Sequence, residues 1–263
     1  MFHVISAEYR KLRRPTLLLG TFAAALFFNA LVTSFMFLMI DSPEGNGDRG
    51  RMIGRPVLES PVGSVTAFSS LGTLLGIIIL CVFAAQTSQE YSLGTLRNLL
   101  VRQPRRVLLL AGKIAAMKIF AVIFTLFNAV ASIAIAYGLS GKAKVSTAEW
   151  FTEAGQVEIL HSFINTLIAV IFFGIFGMVL GIFMRSPISS ISIGVLWLLI
   201  IENLIIAVKS STAHWMPGNQ LAVIASGGTE DITYLHAFGV ASVYLIVALA
   251  TAFTLFSQRD VAN

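Results

Sequence analysis

SFINTLIAVIFFGIFGMVLGIFM, residues 162–184, runs 23 positions without a charged side chain. A helix rises about 1.5 Å per residue, so the run reaches roughly the thickness of a bilayer's hydrocarbon core. Lipid offers no partner to a free backbone N–H or C=O, so only a helix or a closed barrel can cross it. The run is continuously apolar and twice as long as a barrel strand, which selects the helix. Working outward, five further predominantly apolar segments qualify: Thr16–Ile40, Val65–Gln86, Ile114–Tyr137, Ile188–Val208 and His236–Phe256. The expected fold class is an all-α integral membrane protein with six transmembrane helices, preceded by an interfacial helix. Residues 1–15 form that helix and residues 16–263 a single six-helix domain. The first span is too long for a signal-peptide core and no small-residue cleavage site follows it, so it is expected to be retained.

Composition agrees. The chain has 263 residues, of which 56% are hydrophobic and 12% charged, with a mean hydropathy of +0.84. Soluble domains carry about 25% charged residues. The lone cysteine, Cys81, cannot form a disulfide within the chain. A net charge of +5 could suggest nucleic acid, but the cations cluster beside apolar spans, where they act as topology signals, so no nucleic-acid partner is expected. With both termini inside, twelve Lys and Arg residues fall in inner segments and six in outer loops. The positive-inside rule therefore predicts a multi-pass protein of the plasma (inner, cytoplasmic) membrane with both termini cytoplasmic. Arg49, Arg51 and Arg55 of the first outer loop run against the rule, and Asp41, Glu44, Asp48 and Glu59 are placed to pair with them.

In the N-terminal tail, Phe2, Ile5, Tyr9 and Leu12 recur at helical spacing, while Arg10, Lys11, Arg13 and Arg14 fall mostly elsewhere. Such a helix should lie on the inner leaflet with its cations at anionic headgroups. Pro15 separates it from the first span. It serves either as a basic topology anchor or as an elbow that also touches a partner.

The segment QEYSLGTLRNLLVRQPRR, residues 89–106, lies between spans two and three. Ser92 can cap a short helix in which Leu93, Leu96 and Leu100 share a face, with Leu99 beside them. Arg97 and Arg102 project away, Pro104 ends the helix, and Arg105 and Arg106 start the next element at headgroup level. Lys113 and Lys118 are expected to snorkel back to the same interface. Read locally, this is either a topology-setting loop or a surface offered to a cytoplasmic protein.

The pattern Glu90-x-x-x-Gly94-Thr95-Leu96-Arg97-x-Leu99-Leu100-x-x-x-Pro104-x-Arg106-x-x-x-Leu110-x-Gly112-Lys113, after the second of six spans, resembles the first cytoplasmic loop of membrane subunits of type-2 ATP-binding-cassette exporters. The motif likeness covers residues 90–113, and the span count extends it to the whole chain. It implies a cytoplasmic coupling helix between helices 2 and 3. Glu90, Gly94, Thr95, Arg97, Arg102 and Pro104 would then contact a separate ATPase subunit, present in two copies. It also implies a second permease copy or a paralogue, and ATP with Mg bound by the partner rather than by this chain. Short pieces between spans five and six of that family roof the pathway, which His214-Trp215-Met216-Pro217 and Leu221–Ile224 resemble.

The chain has no phosphate-binding loop of its own. Gly112-Lys113 and Gly141-Lys142 lack both the earlier glycine and the following Ser or Thr. No metal-site or catalytic spacing occurs, and His3, His161, His214 and His236 are scattered, so no metal and no enzymatic activity are expected. Inside the spans, Glu202 and Asn203 stand out. A buried acid there is either a substrate-path or gating group, or a structural hydrogen-bonding partner. Asn29 and Asn128 read as interhelical hydrogen-bonding groups, and Gly72/Gly76 and Gly177/Gly181 as close helix contacts. The outer loops are short; Trp150-Phe151 is expected at headgroup level. The substrate is not legible. The expected function is a permease subunit of an ATP-driven exporter. The alternative is a non-transporting membrane anchor or sensor that recruits a cytoplasmic partner.

Overall fold

The computed structural model describes residues 2–40, 54–102 and 105–258. The elements are α1 (Phe2–Leu12), α2 (Pro15–Leu38), α3 (Arg55–Glu59), α4 (Thr66–Ser70), α5 (Gly72–Ser92), α6 (Thr95–Arg102), α7 (Arg106–Ser140), α8 (Glu153–Met184), α9 (Pro187–Leu196), α10 (Glu202–Val208), α11 (Pro217–Ala225) and α12 (Tyr234–Gln258). A π turn, Trp197–Ile201, joins α9 to α10. Among the described residues there is no strand. Among the described residues, six helices are long and apolar enough to cross a membrane: α2, α5, α7, α8, the continuous rod Pro187–Val208, and α12 through Phe256.

These match the six expected segments, with corrections at the ends. The second span starts at Gly72 rather than Val65, because Leu71 separates the short α4 from α5. It also continues past Gln86 to Ser92. The third begins at Arg106, well before Ile114, and the fourth at Glu153, where the Thr152 side chain caps the first turn by accepting from the Gly155 N–H. Amphipathic ends of this kind continue a helix into the headgroup layer, where the apolar run has already stopped.

The hub of the bundle is the α5–α8 pair. A Cβ at Gly76 would strike the Phe173 ring, at Gly174 the Phe83 ring, and at Gly177 the Leu80 backbone. The glycines thus let two helices meet at backbone distance, where dispersion contacts replace the missing hydrophobic drive in lipid. α2 lies on α7 through a polar seam. Asn29 Nδ2 donates to the Asn128 carbonyl at 2.9 Å, and Thr33 Oγ1 donates to Asn29 Oδ1 at 3.2 Å. Asn29 therefore bonds across helices as expected. The Asn128 amide does not: it donates to Phe124 O of its own helix.

At the end of the bundle opposite α6, a small satellite core forms around Trp150, Phe37, Leu58, Ala136, Ala143 and Val145. Trp150 is fully buried and its Nε1 donates to Leu58 O at 2.7 Å, whereas Phe151 beside it is exposed. Burying the indole is favourable only because its N–H finds a carbonyl. Arg55 Nη1 donates to Ala143 O and Lys144 O and lies 4.0 Å from Glu59, so this outer-loop arginine has the acidic neighbour the sequence offered. Arg49, Arg51, Asp41, Glu44 and Asp48 lie outside the described residues.

Candidate functional site

Two constructions among the described residues are built on buried acids, one toward each end of the spans. The first gathers where α1, α5, α6 and α7 meet. α1 docks on α7 at Gly112, where a Cβ would collide with Val4. Leu12 is buried, and Ile5 and Tyr9 pack on the main core, so the expected apolar face of the tail is real, but it is turned onto the bundle. That docking carries Glu8 inside. Lys113 Nζ lies 2.7 Å from Glu8 Oε2 and 2.6 Å from Glu90 Oε1. Lys11 Nζ completes the ring at 2.7 Å from Glu8 Oε1 and 2.8 Å from Glu90 Oε1. Glu8, Glu90 and Lys113 are 5%, 6% and 3% exposed. Two cations and two anions form a neutral buried square, the condition under which taking charges out of water is tolerable. Burial by itself would push the Glu8 carboxyl up, but the ammonium groups of Lys113 and Lys11 outweigh it and hold the carboxyl below its usual range.

This geometry corrects several sequence expectations. Lys113 does not snorkel to the interface; it is buried between two carboxylates. Lys11, expected at the headgroups, has both of its ion-pair partners inside the cluster while its side chain stays part-exposed. The Glu90 side chain, expected at a partner surface, is spent inside the bundle. Lys118, Arg10, Arg13, Arg14 and Arg105 are exposed, with Arg13 lying over the Tyr9 ring at 6.0 Å. Arg106 donates to Phe256 O at 2.9 Å, tying the start of the third span to the end of the sixth.

α6 hangs from this cluster. Ser92 does not cap it: Ser92 ends α5, and its hydroxyl donates to Gln89 O. The chain turns at Gly94, whose φ of +66° favours glycine. Thr95 Oγ1 then lies 3.5 Å from Glu90 O. Leu96 is buried, and Leu99 and Leu100 pack on the core, but Leu93 is 71% exposed and does not share their face. Thr95, Arg97, Asn98 and Val101 are exposed. The Arg102 side chain and Pro104 lie outside the described residues. Between α1, α5 and α6 a recess of about 270 Å³ opens, edged by Lys11, Arg14, Gln89, Thr95 and Asn98.

The second construction centres on Glu202, which is 3% exposed. Its Oε1 accepts from Trp197 Nε1 at 2.6 Å and from the Gly218 N–H at 3.0 Å; its Oε2 accepts from the Asn219 N–H at 3.1 Å. Gly218 and Asn219 belong to the first turn of α11, so a carboxylate sits where that helix leaves its N–H groups unpaired. The π turn makes this possible. Glu202 N–H bonds Trp197 O, five residues back, so one extra residue rotates everything beyond it. Asn203 Nδ2 donates to Leu198 O and Leu199 O of the same turn. Asn203 thus serves carbonyls disturbed by the π turn rather than another helix. The sequence flagged Glu202 and the short α11 separately; the structure joins them.

His236 Nε2 lies 3.0 Å from His214 O, and among the described residues no group of three His, Cys, Asp or Glu could hold a metal.

Among the described residues, six helices long and apolar enough to cross a bilayer define a multi-pass helical membrane protein. Residues 52–262 match a family described as a protein of unknown function, DUF2705, and the chain belongs to that family. No curated protein matches it.

Proposed function

We propose that this chain is the permease subunit of an ATP-driven exporter, with α6 as the coupling helix that receives a separate ATPase subunit. The observation that carries the reading is the build of α6. It is a short helix between spans two and three, held by Leu96 and presenting Arg97, Asn98 and Val101 outward. A docking element needs this division between a fixed face and a free one. Its root is rigid: five residues before Thr95, Glu90 is locked by Lys113 and Lys11 to α7 and α1. A push on α6 would therefore reach three elements at once. The Glu-Gly-Thr-Leu-Arg motif adds the family resemblance. Arg97 would offer its guanidinium fork to carboxylates or carbonyls of the partner, and the adjoining recess would take a side chain of opposite charge to Arg14.

With both termini and α6 on the cytoplasmic face, the α11 end would open outward. Two copies, or this chain and a paralogue, would enclose the path. The rod Pro187–Val208 and α12 support this, since only 11% of each apolar window is buried within one chain against 56% for α5 and α8.

The test is purification of the full chain from its own membranes, followed by an ATPase assay of what accompanies it. A nucleotide-hydrolysing subunit should co-purify, and Arg97→Glu should remove it while the chain stays monodisperse. Absence of any such subunit, or a wild-type complex and turnover with Arg97→Glu, would end this reading. A complex in which ATPase turnover never responds to any solute would favour the recruiting anchor instead, since an exposed α6 serves that role equally well.

A further inference from the structure

Glu202 is a buried acid that, among the described residues, has no cationic partner. Its three partners are N–H dipoles. The buried square at the other end of the bundle shows the contrast, since there every acid has two ammonium neighbours. Dipoles at a helix N-terminus offset part of such a charge, not all of it.

Two cavities meet beside this group. One, about 150 Å³, is edged by Glu202, Asn203, Asn219 and Thr73. The other, about 260 Å³, is walled by Phe176, Val179, Trp197 and Leu221 and is almost wholly apolar. Phe173, Leu198 and Gly218 border both. Each alone is small for a drug-sized ligand. Side by side they offer a chamber edged by an acid and two amides and a greasy one, with Phe173, Leu198 and Gly218 between them.

We propose that the paired cavities bind an amphiphilic monocation, with an ammonium head against Glu202 and an alkyl or aryl body in the apolar chamber. An anion is excluded by the carboxylate. Ca²⁺ or Mg²⁺ would want six or more oxygen ligands, and among the described residues no group of three His, Cys, Asp or Glu could hold a metal. A neutral lipid tail would use only the apolar chamber and leave the charge uncompensated. The Phe173 ring lines both chambers, within reach of a cation at their boundary. That such a cation is the transported solute rests on the exporter reading; its binding does not.

The experiment is equilibrium dialysis of the full chain in lipid nanodiscs against decyltrimethylammonium. Protein-free nanodiscs correct for partition, and decanol and decyl sulfate serve as neutral and anionic controls. Saturable binding of the cation is expected, weakened at least about tenfold in Glu202→Gln. The neutral control should be unchanged. Leu198→Trp, which fills the shared wall and leaves the charge in place, should abolish saturable binding of the cation. Equal binding by wild type and Glu202→Gln, or no preference for the cation over its controls, would overturn the assignment. Should Glu202→Gln fail to fold, undiminished binding by Leu198→Trp would overturn it alone. No ATPase is needed, so loss of cation binding beside an intact ATPase complex would sink this inference and spare the exporter reading. The converse result would do the opposite.

Discussion

Lys113 is the residue on which the α6 end depends. Its ammonium is buried and touches both Glu8 and Glu90. Removing one partner of a buried ionic group strands the others, at about 3–5 kcal/mol. Lys113→Met should therefore destabilise the protein by that order in denaturant titration in detergent. The triple replacement of Glu8, Glu90 and Lys113 by Leu should recover most of the loss, because Lys11, part-exposed, can turn to water. A single variant as stable as wild type would mean that the cluster is not ionic. None of this was legible locally. The positive-inside rule reads each cation by its distance from a span, whereas these partners lie 105 and 23 residues apart in sequence. One signal was present: Glu8 is the lone acid in a cationic tail, and it lies on the same helical face as Ile5 and Leu12.

Among elements, α1 is the one that charge holds in place. Glu8 has its carboxyl lowered by Lys113 and Lys11. A lowered carboxyl contributes stability that is present above the unfolded value and lost as pH falls through the folded one. Acidification below the usual carboxylate range should therefore loosen α1 before the spans melt. Hydrogen exchange across residues 4–12 should rise first, and Glu8→Gln should show fast exchange already at neutral pH. Uniform exchange of α1 and α7 at all pH values would contradict this. Span positions were readable because apolar length is imposed by lipid. Helix ends were not, since the residues that extend α7 to Arg106 are amphipathic and follow tertiary contacts such as Arg106 to Phe256 O. α11 shows the same division: its apolar residues were visible, but its anchor, Glu202, lies 16 residues upstream of Gly218.

For the whole molecule, sidedness is the property to establish. Arg185 over Tyr91, Arg106 on Phe256 and the Lys113 cluster all fall at one end of the bundle. In a background lacking Cys81, Asn98→Cys should react with a membrane-impermeant maleimide only after permeabilisation, and Ser211→Cys in intact cells. The reverse pattern would invert the topology and with it the role assigned to α6. Orientation also gives meaning to the π turn Trp197–Ile201. Because it inserts one residue, the halves of that rod present faces about 100° out of phase. Length in this helix is therefore information as well as reach. Deleting one residue there would still leave a segment able to span lipid, but it would swing the acid at 202 away from α11 and unfasten the first turn of that helix from the carboxyl that caps it.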